Sequence, residues 1–436
     1  MKPILVIILV FLIPFLAAGQ EVLELSIEEA VETAIKNNDL IKAEKFKIKE
    51  AETIKAEAFS HFLPKVDAAV MQLLKEKPMI VEFPSMIPGD PPSRMELSFT
   101  RYYTVAFQAS QPLFLGGQIF YNWKIADKNL ELSNLKYQEQ LDNLVFQVKS
   151  TYYLCFIFEK VLEAVREGME LSREHFEKVD SFYKAGTATY QEWLRAKVQL
   201  SNMDPELHQA ESDLISAFNT LKLLLGVQSD IKLTSRLNTE GDLILDADRY
   251  RDKVNANLQL IGIKKAIDMA EYQRRISWGD YLPKLSISMD YSLGSDEFKF
   301  GSGYWDENYS INLNIQLSIF DGFAKHARRK RADYSIKALE HQSIFYEKSI
   351  KNELDQLLND IETSIKKTGS YRDNLEDSRE SVRVSRLYYE EGLITSFEVN
   401  ASNLDYTRAR INYLNAVYDY YISVFKLEKL IPRIDQ

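Results

Sequence analysis

The chain has 436 residues, room for about three average domains, and its 54 Lys+Arg against 64 Asp+Glu leave a net charge of −10. That balance excludes a basic nucleic-acid binder, and 45% hydrophobic with 27% charged residues excludes a disordered chain. Gly and Pro are scarce at 16 and 12 residues, so long uninterrupted elements are expected rather than a loop-rich enzyme. The single cysteine, Cys155, forms neither an intrachain disulfide nor a cysteine metal cluster.

Lys2, an apolar run from Ile4 to Leu16, and the small residues Ala17, Ala18 and Gly19 read as a secretory signal peptide over residues 1–19. The run is shorter than the ~20 residues of a spanning helix, and no cysteine follows it to carry a lipid. No later segment is apolar enough for a membrane helix, so any crossing is made by strands.

The rest of the chain is written twice. Phe62-Leu-Pro-Lys-Val66 returns as Tyr281-Leu-Pro-Lys-Leu285, Gln111-Pro-Leu-Phe114 as Gln316-Leu-Ser-Ile319, and Phe182-Tyr-Lys-Ala-Gly186 as Tyr388-Tyr-Glu-Glu-Gly392. The first repeat covers 20–225 and the second 251–436. A polar connector with Gly226 and Gly241 lies between them at 226–250. Each repeat reads helix, strand, loop, strand, long helix, tight turn, helix. The fold class is therefore mixed α+β and internally duplicated.

Strands are expected at about 65–75, 101–113, 284–294 and 308–320. Tyr309, Ile311, Leu313, Ile315, Leu317 and Ile319 alternate with Ser310, Asn312, Asn314, Gln316 and Ser318. Leu285, Ile287, Met289, Tyr291 and Leu293 alternate with serines and Asp290; Tyr103, Val105, Phe107 and Ala109 do the same more weakly. Each is long enough to cross a bilayer as a tilted strand, and Tyr102, Tyr103, Tyr304, Trp305 and Tyr309 sit at strand ends where interface aromatics gather. The proline-rich segment Glu76–Ser93 reads as an external loop. Four strands cannot close a barrel, for which about eight is the minimum, and lipid admits no open edge. Several copies must therefore contribute, and two, three or four all satisfy this requirement.

The long helices carry a seven-residue seam. Leu141, Val148, Cys155, Leu162, Met169, Phe176 and Tyr183 form one row; Leu354, Ile361, Thr368, Leu375, Val382 and Tyr389 form its counterpart. A strict heptad makes helices wrap around neighbours as an antiparallel coiled coil, with Cys155 in its core. Gly186 and Gly392 end the long helices, and return helices begin near Thr189 and Thr395. Asp204-Pro205 is expected to kink or break the first return. Lys325, Arg328, Arg329, Lys330 and Arg331 form a basic run near the inner leaflet, placed to touch lipid phosphates or line the upper tunnel, and read first as a solvated helix face. The five histidines lack ligand spacing, and no phosphate loop or nucleophile motif is present. No catalytic site, metal or cofactor is expected. The competing reading of this pattern is a periplasmic coiled-coil adaptor or scaffold.

In its opening Leu25-Ser-Ile-Glu-Glu-Ala30 with Asn37-Asn38, the paired Leu-Pro-Lys motifs, Gln111–Gly117, Ile319-Phe-Asp-Gly322 and the two turn motifs, the chain resembles the TolC-type outer membrane factor family of Gram-negative bacteria. The resemblance spans nearly the whole mature chain. It implies a homotrimer: a 12-stranded β-barrel in the outer membrane lipid over an α-helical periplasmic tunnel. Such a protein is a passive, non-enzymatic exit duct for efflux or type I secretion, docked to a periplasmic adaptor protein and an inner-membrane pump or secretion ATPase. The resemblance also places gate and selectivity carboxylates at Glu192 and Glu398, a locking aromatic at Tyr389, and adaptor-contact turns at Tyr183, Gly186, Thr189, Gly392 and Thr395. The family's second acidic position is Arg195 in one repeat and Ala401 in the other, and a locking Arg of some members falls at Ile394.

Overall fold

A computed structural model describes residues 22–75, 77, 79–87, 91–97, 101–235, 250–251, 253–299 and 301–431. The signal peptide and most of the inter-repeat connector lie outside the described residues. The chain forms two compact units, each drawn from both halves of the sequence.

One unit comprises residues 45–136 and 258–346. Its centre is a four-stranded antiparallel sheet of β2 (Lys65–Gln72), β5 (Tyr103–Leu115), β7 (Lys284–Ser295) and β8 (Asp306–Gln316), paired in that order. Three boundaries differ from the expected ones, and pairing explains each. β8 ends at Gln316 because its partner β7 begins at Lys284, so Leu317 and Ile319 have no ladder to join. β2 ends at Gln72, opposite the first residue of β5. β5 reaches Leu115 by a bulge that leaves Leu113 unpaired, next to Pro112, which cannot donate to the ladder. The segment read as an external loop contains a hairpin, β3 (Met79–Phe83) with β4 (Ser93–Leu97), closed by an Arg94–Glu82 ion pair of 2.7 Å.

Each sheet strand joins a helix at the same end. β2 follows α2 (Asp39–Ser60), β5 leads into α3 (Gln118–Lys184), and β7 follows α5 (Leu258–Gly279). β8 leads into α6 (Ala324–Glu390). At this junction Gly116, with φ +64°, meets Gly279: a Cβ on Gly116 would lie 2.2 Å from the Gly279 carbonyl oxygen, and one on Gly279 2.0 Å from that of Gly116. Only glycine permits this backbone contact. Phe323 holds the same left-handed conformation (φ 68°) in the other exit and leaves its ring exposed. The basic run is not the freely solvated face expected: Lys325 is buried, with Nζ donating to the Ser318 carbonyl, and Arg328 pairs with Asp280 and Asp321.

The other unit comprises residues 1–44, 137–257 and 347–436. Here the long helices pack with α1 (Ile27–Asn37), α4 (Tyr190–Leu225) and α7 (Ser396–Leu430). The heptad reading locates the core: Val148 and Cys155 are fully buried in one long helix, and Leu354 and Ile361 in the other. Each such aliphatic side chain contributes on the order of 2 kcal/mol by leaving water. The row ends before Tyr183, which is exposed, while its counterpart Tyr389 is buried. α4 runs unbroken through Pro205, so the expected break does not occur; Met203 and Ala210, one on either side, pack against Leu162 and Val165. A two-stranded parallel sheet, β1 (Leu23–Leu25) with β6 (Ile231–Leu233), was not foreseen. Tyr152 ties it down from the core: its hydroxyl donates to the Leu25 carbonyl at 2.8 Å and accepts from the Ser235 N–H at 3.0 Å.

Candidate functional site

The register of the sheet turns four separate alternations into two faces. Val66, Ala109, Met289 and Ile311 stand in one cross-strand row, and Ala68, Phe107, Tyr291 and Tyr309 in the next on the same face. Asp67, Gln108, Asp290 and Ser310 form a row of the opposite face, where Asn312 Nδ2 donates to Asp290 Oδ2 at 3.3 Å. The apolar face is uncovered: Val66, Val70, Tyr309, Ile311, Leu313 and Ile315 are all exposed. A water-facing surface has no use for such a row, whereas lipid requires it. Aromatics border both ends. Tyr102, Phe298, Tyr304 and Tyr309 are exposed at the loop end; Phe62, Phe114, Trp278, Tyr281, Phe320 and Phe323 are exposed at the helix end. Only the loop-end belt was anticipated, because the helix-end residues lie in turns, in the last turn of α5 or beyond the bulge of β5, outside any alternating pattern. Eleven residues between the belts span about 36 Å along the strand, or ~27 Å at a tilt near 40°, the height of a bilayer's apolar band. β2 and β8 have no outer strand partner among the described residues.

The two helical turns have one bonding pattern. In the first, the Gly186 N–H donates to the Tyr183 carbonyl at 3.0 Å and the Thr187 N–H to that of Phe182 at 2.9 Å. In the second, Gly392 donates to Tyr389 at 3.1 Å and Leu393 to Tyr388 at 2.8 Å. Both glycines take positive φ, 77° and 69°, as this helix stop requires. Each return helix then opens with a Thr–Glu pair. The Thr189 N–H and Oγ1 each donate to Glu192 Oε2 at 2.9 Å, and the Glu192 N–H returns a bond to Thr189 Oγ1 at 3.2 Å. The Thr395 N–H and Oγ1 donate to Glu398 Oε2 at 2.8 and 2.9 Å. These bonds to Thr395 hold the Glu398 carboxyl below the usual range, so it stays ionised.

The turns meet in one cluster. Val179 and Ala196 of the first hairpin bury against Tyr389 and Val399 of the second, with Phe176, Phe182, Trp193 and Ile394 packed around them. Tyr389 sits here as a buried aromatic, its hydroxyl pushed up by burial and then by the Glu192 charge. Tyr183 lies outside, against Tyr190 and Trp193. Lys178–Glu390 (2.5 Å) and Arg386–Glu174 (2.9 Å) ion pairs flank the cluster. Sequence reasoning missed His175 and Ser396. Both are buried, His175 Nε2 lies 2.8 Å from Ser396 Oγ, and the imidazole meets the Tyr389 ring edge-on at 5.2 Å. Burial lowers the His175 pKa to about 4, and the nearby Arg386 acts in the same direction. Its place next to the seam residue Phe176 was the available signal. No helix among the described residues is long and apolar enough to cross a membrane, and no group of side chains among them is arranged to hold a metal ion.

A sheet with one lipid-suited face, open at both edges and continuous with long helical hairpins, defines a membrane channel protomer rather than a catalytic domain. Family comparison agrees: the outer membrane efflux protein model matches residues 30–227 and 254–432, and the chain belongs to that family. It is an outer membrane protein and not an enzyme. The outer membrane protein TolC of Vibrio cholerae is 21% identical over 327 residues, 71% of this chain and 72% of its own. The alkaline protease secretion protein AprF of Pseudomonas aeruginosa is 21% identical over 329 residues, 73% and 67% respectively. A crystal structure of CusC, described in terms of transmembrane channel formation, shares the fold with a TM-score of 0.77 at 14% identity, covering 93% of this chain and 91% of that one.

Proposed function

We propose that the chain is the outer membrane duct of a tripartite efflux or type I secretion system, built as a homotrimer. The observation that carries this reading is the two-faced sheet with unpaired edges at β2 and β8. In lipid those edges must be satisfied, and joining β8 of one copy to β2 of the next closes the ladder without new structure. Three copies give a 12-stranded barrel with the apolar face outward and the Asp67–Asp290 face lining water. The helical hairpins then form a periplasmic tunnel. A periplasmic scaffold would leave the apolar face and its two aromatic belts without a solvent to suit them.

The turns are the mouth of this tunnel and the contact for a periplasmic adaptor, through Tyr183, Gly186, Thr189, Gly392 and Thr395. The adaptor links the duct to an inner-membrane pump or secretion ATPase, which supplies the energy. A relative named for protease secretion supports an export role. Glu192 and Glu398 cap their helices through Oε2, and the bonds from Thr395 hold the Glu398 carboxyl ionised. Repeated around a three-fold axis they make two anionic rings that attract cations and slow anions. Tyr389 holds the two hairpins together at this end, with Ile394 providing an apolar contact where a locking Arg would otherwise stand. Single-channel recording in planar bilayers tests the assignment. The wild type should prefer cations, and Glu192→Gln with Glu398→Gln should reduce that preference severalfold; an unchanged reversal potential would remove the carboxylates from the gate.

A further inference from the structure

The helix end of the four-stranded sheet carries a pocket of mixed polar and apolar lining that the duct does not use. It lies among α3, α5 and α6, has a volume of about 320 Å³, and is lined by Gln118, Gln273, Ser277, Asp280, Arg328 and Arg331. That is roughly ten times the share of one water molecule in the liquid. Arg328 is fixed in place: Nε donates to Asp280 Oδ2 at 3.0 Å and Nη2 to Asp321 Oδ2 at 3.4 Å. Arg331 stands one helical turn further along the same face of α6, exposed at the pocket rim. Five cations fall within seven residues here, and of these Arg328 pairs with Asp280 and Asp321. In a chain of net charge −10, this is a local excess of positive charge.

At the same end of the sheet aromatic rings are exposed. Trp278 is half exposed with the Arg329 guanidinium 4.3 Å above its ring, and Phe320 and Phe323 are each 74% exposed, in edge-to-face contact with one another. A bare anion has no need of these rings, and an apolar patch has no need of guanidinium groups. Together they fit an amphiphile with an anionic head.

We propose that this pocket binds the phosphate of an anionic glycerophospholipid. Arg331 and Arg328 meet the phosphate oxygens, Gln118 and Gln273 supply amide donors, and the acyl chains run along Trp278, Phe320 and Phe323. The proposal rests on the reading of the sheet as membrane-spanning, because only then does the helix-end belt lie at the headgroup level. Guanidinium is suited to the role by its planar fork of N–H donors. The pocket would fix the height of the barrel in the bilayer.

Native mass spectrometry of the full-length protein, released from detergent after exchange into equimolar phosphatidylglycerol and phosphatidylcholine, tests this. The wild type should retain phosphatidylglycerol in clear preference, and Arg331→Ala should weaken that retention about fivefold, the effect of one cation near an anionic surface. Arg331→Lys should restore part of it. Equal retention of the two lipids, or no change in Arg331→Ala, would overturn the pocket and leave the duct standing. Displacement of phosphatidylglycerol by millimolar inorganic phosphate, with no lipid selectivity left, would reduce the site to a general anion site and also overturn the proposal. A protein that held neither lipid would overturn the pocket and the membrane reading together. The wild-type lipid preference alone is decisive if the variants do not assemble.

Discussion

Acidification should loosen the joined helical turns through His175. This imidazole is buried, its Nε2 lies 2.8 Å from Ser396 Oγ, and burial lowers its pKa from 6.5 to about 4. A folded-state value below the exposed value means that the neutral form is the one the packed state accepts. Its contribution is complete above pH 6.5, declines as pH falls toward 4, and is lost below that. That difference sets a ceiling of about 3 kcal/mol per chain. Between pH 7 and pH 5 the loss is about 2 kcal/mol, roughly a twentyfold rise in the open population of the turn cluster. Hydrogen exchange of peptides covering 172–200 and 385–405, corrected for intrinsic rates, reads this rise directly. The groups facing His175 are Tyr389, Ser396 and Arg386, with Glu192, Glu174, Lys178 and Glu390 around them, so surrounding carboxylates must be separated from the imidazole. His175→Gln keeps a hydrogen-bonding group without a titrating ring and should flatten the response. A twentyfold rise that persists in His175→Gln would refute the reasoning.

Other perturbations have equally definite outcomes. Gly116→Ala or Gly279→Ala drives a Cβ into backbone at about 2 Å and should prevent barrel assembly, seen as loss of the heat-modifiable species on gels; Gly369→Ala, inside α6 with open space around it and no positive φ, should assemble. Leu313→Arg on the apolar face of β8 should lower insertion by about 2–4 kcal/mol in a liposome folding titration, whereas Asn312→Arg on the opposite face should insert like the wild type. Thr189→Ala and Thr395→Ala each remove a capping partner and should cost about 1 kcal/mol of local stability by exchange at the return-helix starts, without changing barrel assembly.

Much of this architecture is written in simple periods. A two-residue alternation suffices for β7 and β8 because each has one wet face and one apolar face, and the seven-residue rows identify Val148, Cys155, Leu354 and Ile361 as core. What escapes is whatever lacks a period. Strands of three residues, Leu23–Leu25 and Ile231–Leu233, show no alternation, and their pairing is set by Tyr152, more than eighty residues from Ser235. The β3–β4 hairpin hides because its connection is proline-rich; Pro84, Pro91 and Pro92 lie between the strands and outside the ladder, where they break nothing. Pro205 misleads in the opposite sense, since buried neighbours outweigh its local penalty. At the turns the sequence identifies Gly186, Gly392, Glu192 and Glu398, but the His175–Ser396 contact joins residues 221 apart and has no local signal.

The central claim is that the open sheet is completed by identical copies. The molar mass of the protein extracted from outer membranes, measured by light scattering with the detergent contribution subtracted, tests it most directly. Three protomer masses in one particle is the expected result, which sets the strand number at twelve. A single protomer mass, with the protein recovered from the soluble periplasmic fraction, would contradict the account, because edges β2 and β8 would then be left unpaired in water and the apolar face would have no lipid to meet.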